Sequence, residues 1–166
     1  SANALVAVTG SGTAYTVTLS SITGNGTLGI SVAAGTATDL AGNSTAAAGP
    51  STTFSVENTA PTVTVGAPSS SFASVGPVSY AVTYADASFN TSSLVAANVT
   101  LNRTGTAGGT VGVTGSGTSY QVTISSITGN GTLGLSIAAG TASDVAGNLA
   151  PASEPSATFT VDNTAP

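Results

Sequence analysis

The sequence predicts an all-β fold of two-layered sandwich units in tandem, with about 7 strands per unit and a 105-residue period. Three observations predict it. Apolar and polar residues alternate, as in Tyr15-Val17-Leu19 and Val78-Tyr80-Val82-Tyr84, which gives an extended chain one apolar side. Val, Ile, Thr and Gly dominate the segments between turns, a composition that favours strand over helix. The chain also matches itself without a gap at an offset of 105 residues.

That match sets the domain organisation. Val8–Thr13 recurs as Val113–Thr118, and Ser20–Gly29 (SSITGNGTLG) recurs unchanged as Ser125–Gly134. Asp39-Leu40-Ala41-Gly42-Asn43 returns as Asp144-Val145-Ala146-Gly147-Asn148, and Asn58–Pro61 returns as Asn163–Pro166. Between residues 8–61 and 113–166, 39 of 54 positions are identical. A period of that length is domain-sized, so the expected array is one of whole domains and not a solenoid of small units. Residues 62–166 form one complete unit. Residues 1–61 form the C-terminal part of the unit before it, without its first strands, and Ser1 is read as an internal starting point.

In the complete unit the strands follow in order. Thr62–Gly66 alternates after Pro61, Val78–Tyr84 alternates with aromatics, and Asn98–Arg103 carries Val99 and Leu101. Ser93–Ala97 is read as a single helical turn before that third strand. Thr110–Thr114 and Ser119–Ile124 flank Gly115-Ser116-Gly117, a short hairpin turn. Thr132–Ala138 follows Asn130-Gly131, a dipeptide suited to positive φ, and Ala157–Asp162 closes the unit. Seven short strands at this spacing predict a β-sandwich of immunoglobulin type.

Composition removes most enzyme chemistry. There is no His for an imidazole base and no Cys for a thiolate, a disulfide or a Cys/His zinc site. The one cation is Arg103, so there is no lysine for a Schiff base or an isopeptide cross-link, and no basic stripe for nucleic acid. No apolar run approaches the roughly 18 residues of a membrane span, so direct membrane insertion is not expected. Six acids could supply the carboxylate pair of a glycosidase, but nothing in the sequence pairs them. The expectation is a protein that is not an enzyme. Low charge does not imply disorder here, because apolar β-branched residues are abundant and net charge is only -5.

The Asp-x-Ala-Gly-Asn loop, followed by a strand ending in Val-(Asp/Glu)-Asn-Thr-Ala-Pro, resembles bacterial immunoglobulin-like repeat domains. The resemblance covers the whole chain, with both motifs occurring twice in register. It implies a secreted, extracellular or cell-surface location within a very long adhesin-type polypeptide, where such repeats form a stalk.

In an immunoglobulin-type sandwich the loops after strands two, four and six gather at the pole where strand one begins. That places Asp86, Asn90, Asp144 and Asn148 beside the linker that starts at Glu57, with Asp39 and Asp162 as the equivalent acids of neighbouring junctions. Hard oxygen ligands of this sort suit Ca²⁺, and the resemblance implies the same ion, which would stiffen the joint. The competing reading is that these Asp and Asn side chains bond their own loop backbone. Pro61 fixes φ and makes the linker short and poorly bendable. Tyr15, Tyr80, Tyr84 and Tyr120 are read mainly as core aromatics, since they alternate in step with Val, and a sugar-stacking platform is the lesser alternative.

The expected function is a structural stalk or fibre, with copies of the same repeat as partners, in tandem and laterally. The alternative is a subunit of an extracellular filament or sheath with strands shared between chains; low charge favours close lateral packing. A carbohydrate-binding accessory domain comes third.

Overall fold

The computed structural model describes residues 1–166, and the chain divides into two compact units, Ser1–Thr59 and Ala60–Pro166. It is all-β, with several sheets and one single-turn 3-10 helix.

In the first unit β1 (Asn3–Ser11) and β2 (Ala14–Thr23) form an antiparallel ribbon, and β3 (Gly26–Leu28) pairs with β4 (Phe54–Val56). Both sheets stop at two strands. Val56 is the only buried apolar side chain, while Leu5, Val6 and Val8 are each at least 60% exposed.

The second unit holds β5 (Thr62–Val65), β6 (Phe72–Ala73), β7 (Val78–Ala85), β8 (Phe89–Ser92) and β9 (Val99–Arg103). It continues with β10 (Gly108–Ser116), β11 (Ser119–Thr128), β12 (Gly131–Ile137), β13 (Ala142–Asp144) and β14 (Phe159–Val161). One sheet has the order β10-β11-β7-β5 and the other β6-β14-β12-β9. β8 and β13 form a small separate pair.

Alternation makes the core. Val78, Tyr80, Val82 and Tyr84 all point inward from β7, joined by Val122 and Ile124 of β11. From the other sheet come Leu133, Leu135 and Ile137 of β12, with Phe159 and Val161 of β14. Two four-stranded sheets sharing one core are compatible with a β-sandwich. Each such side chain contributes about 1.5–3 kcal/mol on burial, so Leu135→Ala costs about 2–5 kcal/mol once the cavity is included. Two tyrosine hydroxyls are buried with partners. Tyr80 OH donates to Ala157 O at 3.0 Å, and Tyr84 OH donates to Thr141 Oγ1 at 2.7 Å.

Equivalent residues of the two units pair alike. Asn3↔Thr23 and Gly108↔Thr128 open hairpins with the same irregularity, next to Ser21 and Ser126 at φ 48° and 49°. β3–β4 and β12–β14 also share their register at Gly26↔Val56 and Gly131↔Val161. The ribbons therefore share their pairing, whereas burial differs. Phe54 is 44% exposed where Phe159 is 1%, and Val32 is 42% where Ile137 is 1%.

The expected strands are all present, with differences in extent. β10 and β11 run longer than the alternation, through Gly-rich and Ser-rich ends. β6, β8 and β13 were not expected. The helical turn lies at Ala96–Asn98, not Ser93–Ala97: Ser93 N donates to Thr141 O as extended chain, and Asn98 Oδ1 caps Val95 N at 3.0 Å. Tyr15 departs from the expected core role, being 63% exposed because nothing in its unit lies over β2.

Candidate functional site

The acids of the second unit lie in loops whose positions follow from strand register. Thr62↔Ala85 pairing places the turn after β7 where β5 begins. Ser88 O accepts from Val145 N at 2.9 Å, which brings the Asp144–Asn148 loop to the Asp86–Ser88 turn. Ser92 Oγ donates to Gly117 O at 2.6 Å, so the β10–β11 turn joins the same pole. Ser92 Oγ is also 2.8 Å from Tyr120 OH, where the tyrosine is therefore the donor. The three loops thus gather as the strand order requires.

Their carboxylates are engaged by N–H and O–H donors of their own loops. Asp144 is 1% exposed; its Oδ1 accepts from Asn148 N at 2.8 Å and its Oδ2 from Asn148 Nδ2 at 2.7 Å. Burial pushes its pKa up. The bonds from Asn148, Gly147 and Ala146 together outweigh that and hold the carboxyl below its ordinary value. Asp39 builds the same loop in the first unit, where it is exposed. Its Oδ1 accepts from Ala41 N and Asn43 N, both at 2.9 Å, and its Oδ2 from Asn43 Nδ2 at 2.9 Å. The Asn43 side chain is the main cause of its lowered pKa. Asp86 Oδ1 accepts from Ser88 N at 2.7 Å and Ser88 Oγ at 3.0 Å. Asn90 is exposed on β8, beyond that turn.

Glu57 and Asp162 occupy equivalent places at the strand exits. Glu57 Oε1 accepts from Thr59 N at 2.6 Å, and Asp162 Oδ1 from Thr164 N at 2.9 Å. Within the second unit, Asp162 follows β14 at the pole opposite Asp86 and Asp144, since β14 ends beside the start of β12. No three of His, Cys, Asp or Glu come together in an arrangement that could hold a metal ion. Each of these carboxylates accepts hydrogen bonds within its own loop or strand exit.

A feature the sequence reading did not assign lies beside Asp162. Asn130 Oδ1 accepts from Asn163 N at 2.6 Å, Asn130 Nδ2 donates to Thr164 Oγ1 at 3.2 Å, and Asn163 Nδ2 donates to Gly129 O at 2.8 Å. Asn25 and Asn58 repeat it: Asn58 N donates to Asn25 Oδ1 at 2.7 Å, and Asn58 Nδ2 to Gly24 O at 2.7 Å. The turn before β12 or β3 thereby grips the chain as it leaves β14 or β4. The signal was the recurrence of both asparagines within the unchanged segments Ser20–Gly29 and Asn58–Pro61; their pairing is not visible in either segment alone.

No protein family, curated protein or solved structure matches the chain.

Proposed function

We propose that the chain is a non-catalytic structural module: immunoglobulin-like repeats of an extracellular or surface polypeptide that forms an extended stalk or fibre. What supports the class is the pair of sheet orders, β10-β11-β7-β5 and β6-β14-β12-β9. The observation that carries the reading is the asparagine clamp made twice, at Asn25/Asn58 and at Asn130/Asn163. A clamp fixes how the chain leaves a unit, and a fixed exit suits a rod more than a flexible tether. Pro61, next to the first exit, limits bending further.

A second reading, the subunit of a filament with strands shared between chains, is favoured by the open strand edges of β2 and β3. The denatured mass of the native polypeptide separates the two. A mass many times 15.6 kDa supports the covalent stalk, whereas a mass near 15.6 kDa removes it and leaves the filament.

A further inference from the structure

The first unit contains an open apolar groove of about 1030 Å³, lined by Val6, Val8, Tyr15, Val17, Leu19 and Leu28 among others. The second unit shows what lies against the equivalent surface. There β7 pairs with β11 through Ile124↔Val78, Val122↔Tyr80 and Tyr120↔Val82, and β9 pairs with β12 through Leu133↔Arg103 and Leu135↔Leu101. Leu19, Val17 and Tyr15 stand at the positions of Ile124, Val122 and Tyr120. Their strand has no partner on that edge, and neither does β3 on the edge equivalent to that facing β9. The groove is therefore a sheet pair without its second set of strands.

The turn at Gly24 fixes where such strands would enter the groove. A Cβ added to Gly24 would meet Ser1 O at 2.3 Å, and one added to Gly129 would meet Thr106 O at 2.1 Å. Ser1 thus lies against its turn as Thr106 lies against the equivalent one, and the chain reaches Thr106 from β9. We infer that the groove is an acceptor for an extended segment with the residue pattern of Pro61–Gly105, entering at the turn where Ser1 meets Gly24. Its alternating Val, Tyr and Val side chains fill the cavity, and its backbone satisfies the open edges of β2 and β3. The inference rests on the repeat reading proposed above, and its test is independent of native chain length.

The test joins a copy of Pro61–Gly105 ahead of Ser1 of the full chain and follows amide exchange. The amides of Val17, Leu19 and Gly29 should slow by at least about 100-fold, towards the rates of Val122, Ile124 and Gly134. Binding of a hydrophobic dye should be lost, and the extended protein should remain monomeric. A control extension, with Ser at the copied positions of Val78, Tyr80 and Val82, should leave the exchange fast. Unchanged exchange in the first protein, or equal protection from the control, overturns the inference. Concentration-dependent self-association of the unextended chain that protects the same amides also overturns it, by making a second copy the occupant. A long native polypeptide with a groove that stays open would sink this inference and leave the stalk standing. A short one with a groove that closes would do the reverse.

Discussion

Asn163 closes onto Asn130 across 33 residues of sequence: its backbone N–H donates to the Asn130 side-chain oxygen at 2.6 Å. Asn130→Ala removes this acceptor and the donor to Thr164 together. Because the site is exposed, the expected cost is modest, about 0.5–1.5 kcal/mol per bond. Chemical denaturation should show it, along with faster exchange of the Asn163 amide. A variant with unchanged stability and exchange would show that the clamp contributes nothing in solution.

Asp144 and Asp39 make equivalent loops in different surroundings, one buried and one exposed. Asp144→Ala should lower the melting midpoint of its unit more than Asp39→Ala disturbs its own, since the Asp144 bonds to Asn148 are partly shielded from water whereas those of Asp39 are exposed. Both carboxyls have folded pKa values below the ordinary 3.8. Their stabilisation is therefore complete above that pH and is lost as pH falls through the folded values. An acid titration of the melting midpoint should lose this acid-sensitive step in the Asp144→Ala variant.

Tyr84 and Thr141 form a buried hydroxyl pair, with Tyr120 edge-on to Tyr84 at 6.0 Å. A double-mutant cycle with Tyr84→Phe and Thr141→Val should give a coupling of about 0.5–1.5 kcal/mol. Burial raises the pKa of both Tyr80 and Tyr84, so the neutral phenols are favoured in the fold. That contribution is present below the ordinary tyrosine value of 10.0 and is lost as pH rises through the folded values. Tyrosine absorbance should show Tyr80 and Tyr84 ionising only as the unit unfolds.

Gly129 and Gly140 have nearly the same backbone, at φ +75° and +78°, but a Cβ at Gly140 meets nothing within 4 Å. Gly140→Ala should therefore cost only the left-handed strain, about 1–2 kcal/mol. Gly129→Ala adds a collision with the Thr106 backbone and should cost clearly more. Equal melting midpoints for the two would refute the steric account.

The main strands were legible because alternation and burial are one pattern seen twice, as β7 shows residue by residue. Phe72–Ala73, Phe89–Ser92 and Ala142–Asp144 were not, since two to four residues cannot display a period. Their pairing is decided by the loops around them. The nearness of the Asp86 and Asp144 loops followed from the strand order, and Val145 N bonding to Ser88 O shows it. Their bonding was not settled by sequence, because Asp and Asn at a loop start suit a cation and a backbone amide equally well. The folding of Asn148 back on Asp144, like that of Asn43 on Asp39, is visible only in three dimensions. The asparagine clamp was missed for a different reason: it joins residues far apart in sequence, each of which has an adequate local role as turn or exit.

The open groove of the first unit also bears on how the chain folds. Residues 62–107 are the donor half of the second unit, and they stand between two acceptors that share 39 of 54 residues in the span compared. The forward acceptor gives the fold described above. The backward one would assemble the same strands in circularly permuted order, with residues 108–166 left uncovered. On the inference drawn above the two acceptors compete, and the backward one leaves the ribosome first. High similarity between neighbouring units thus carries a risk of misassembly, and filling the first groove in advance removes the competitor.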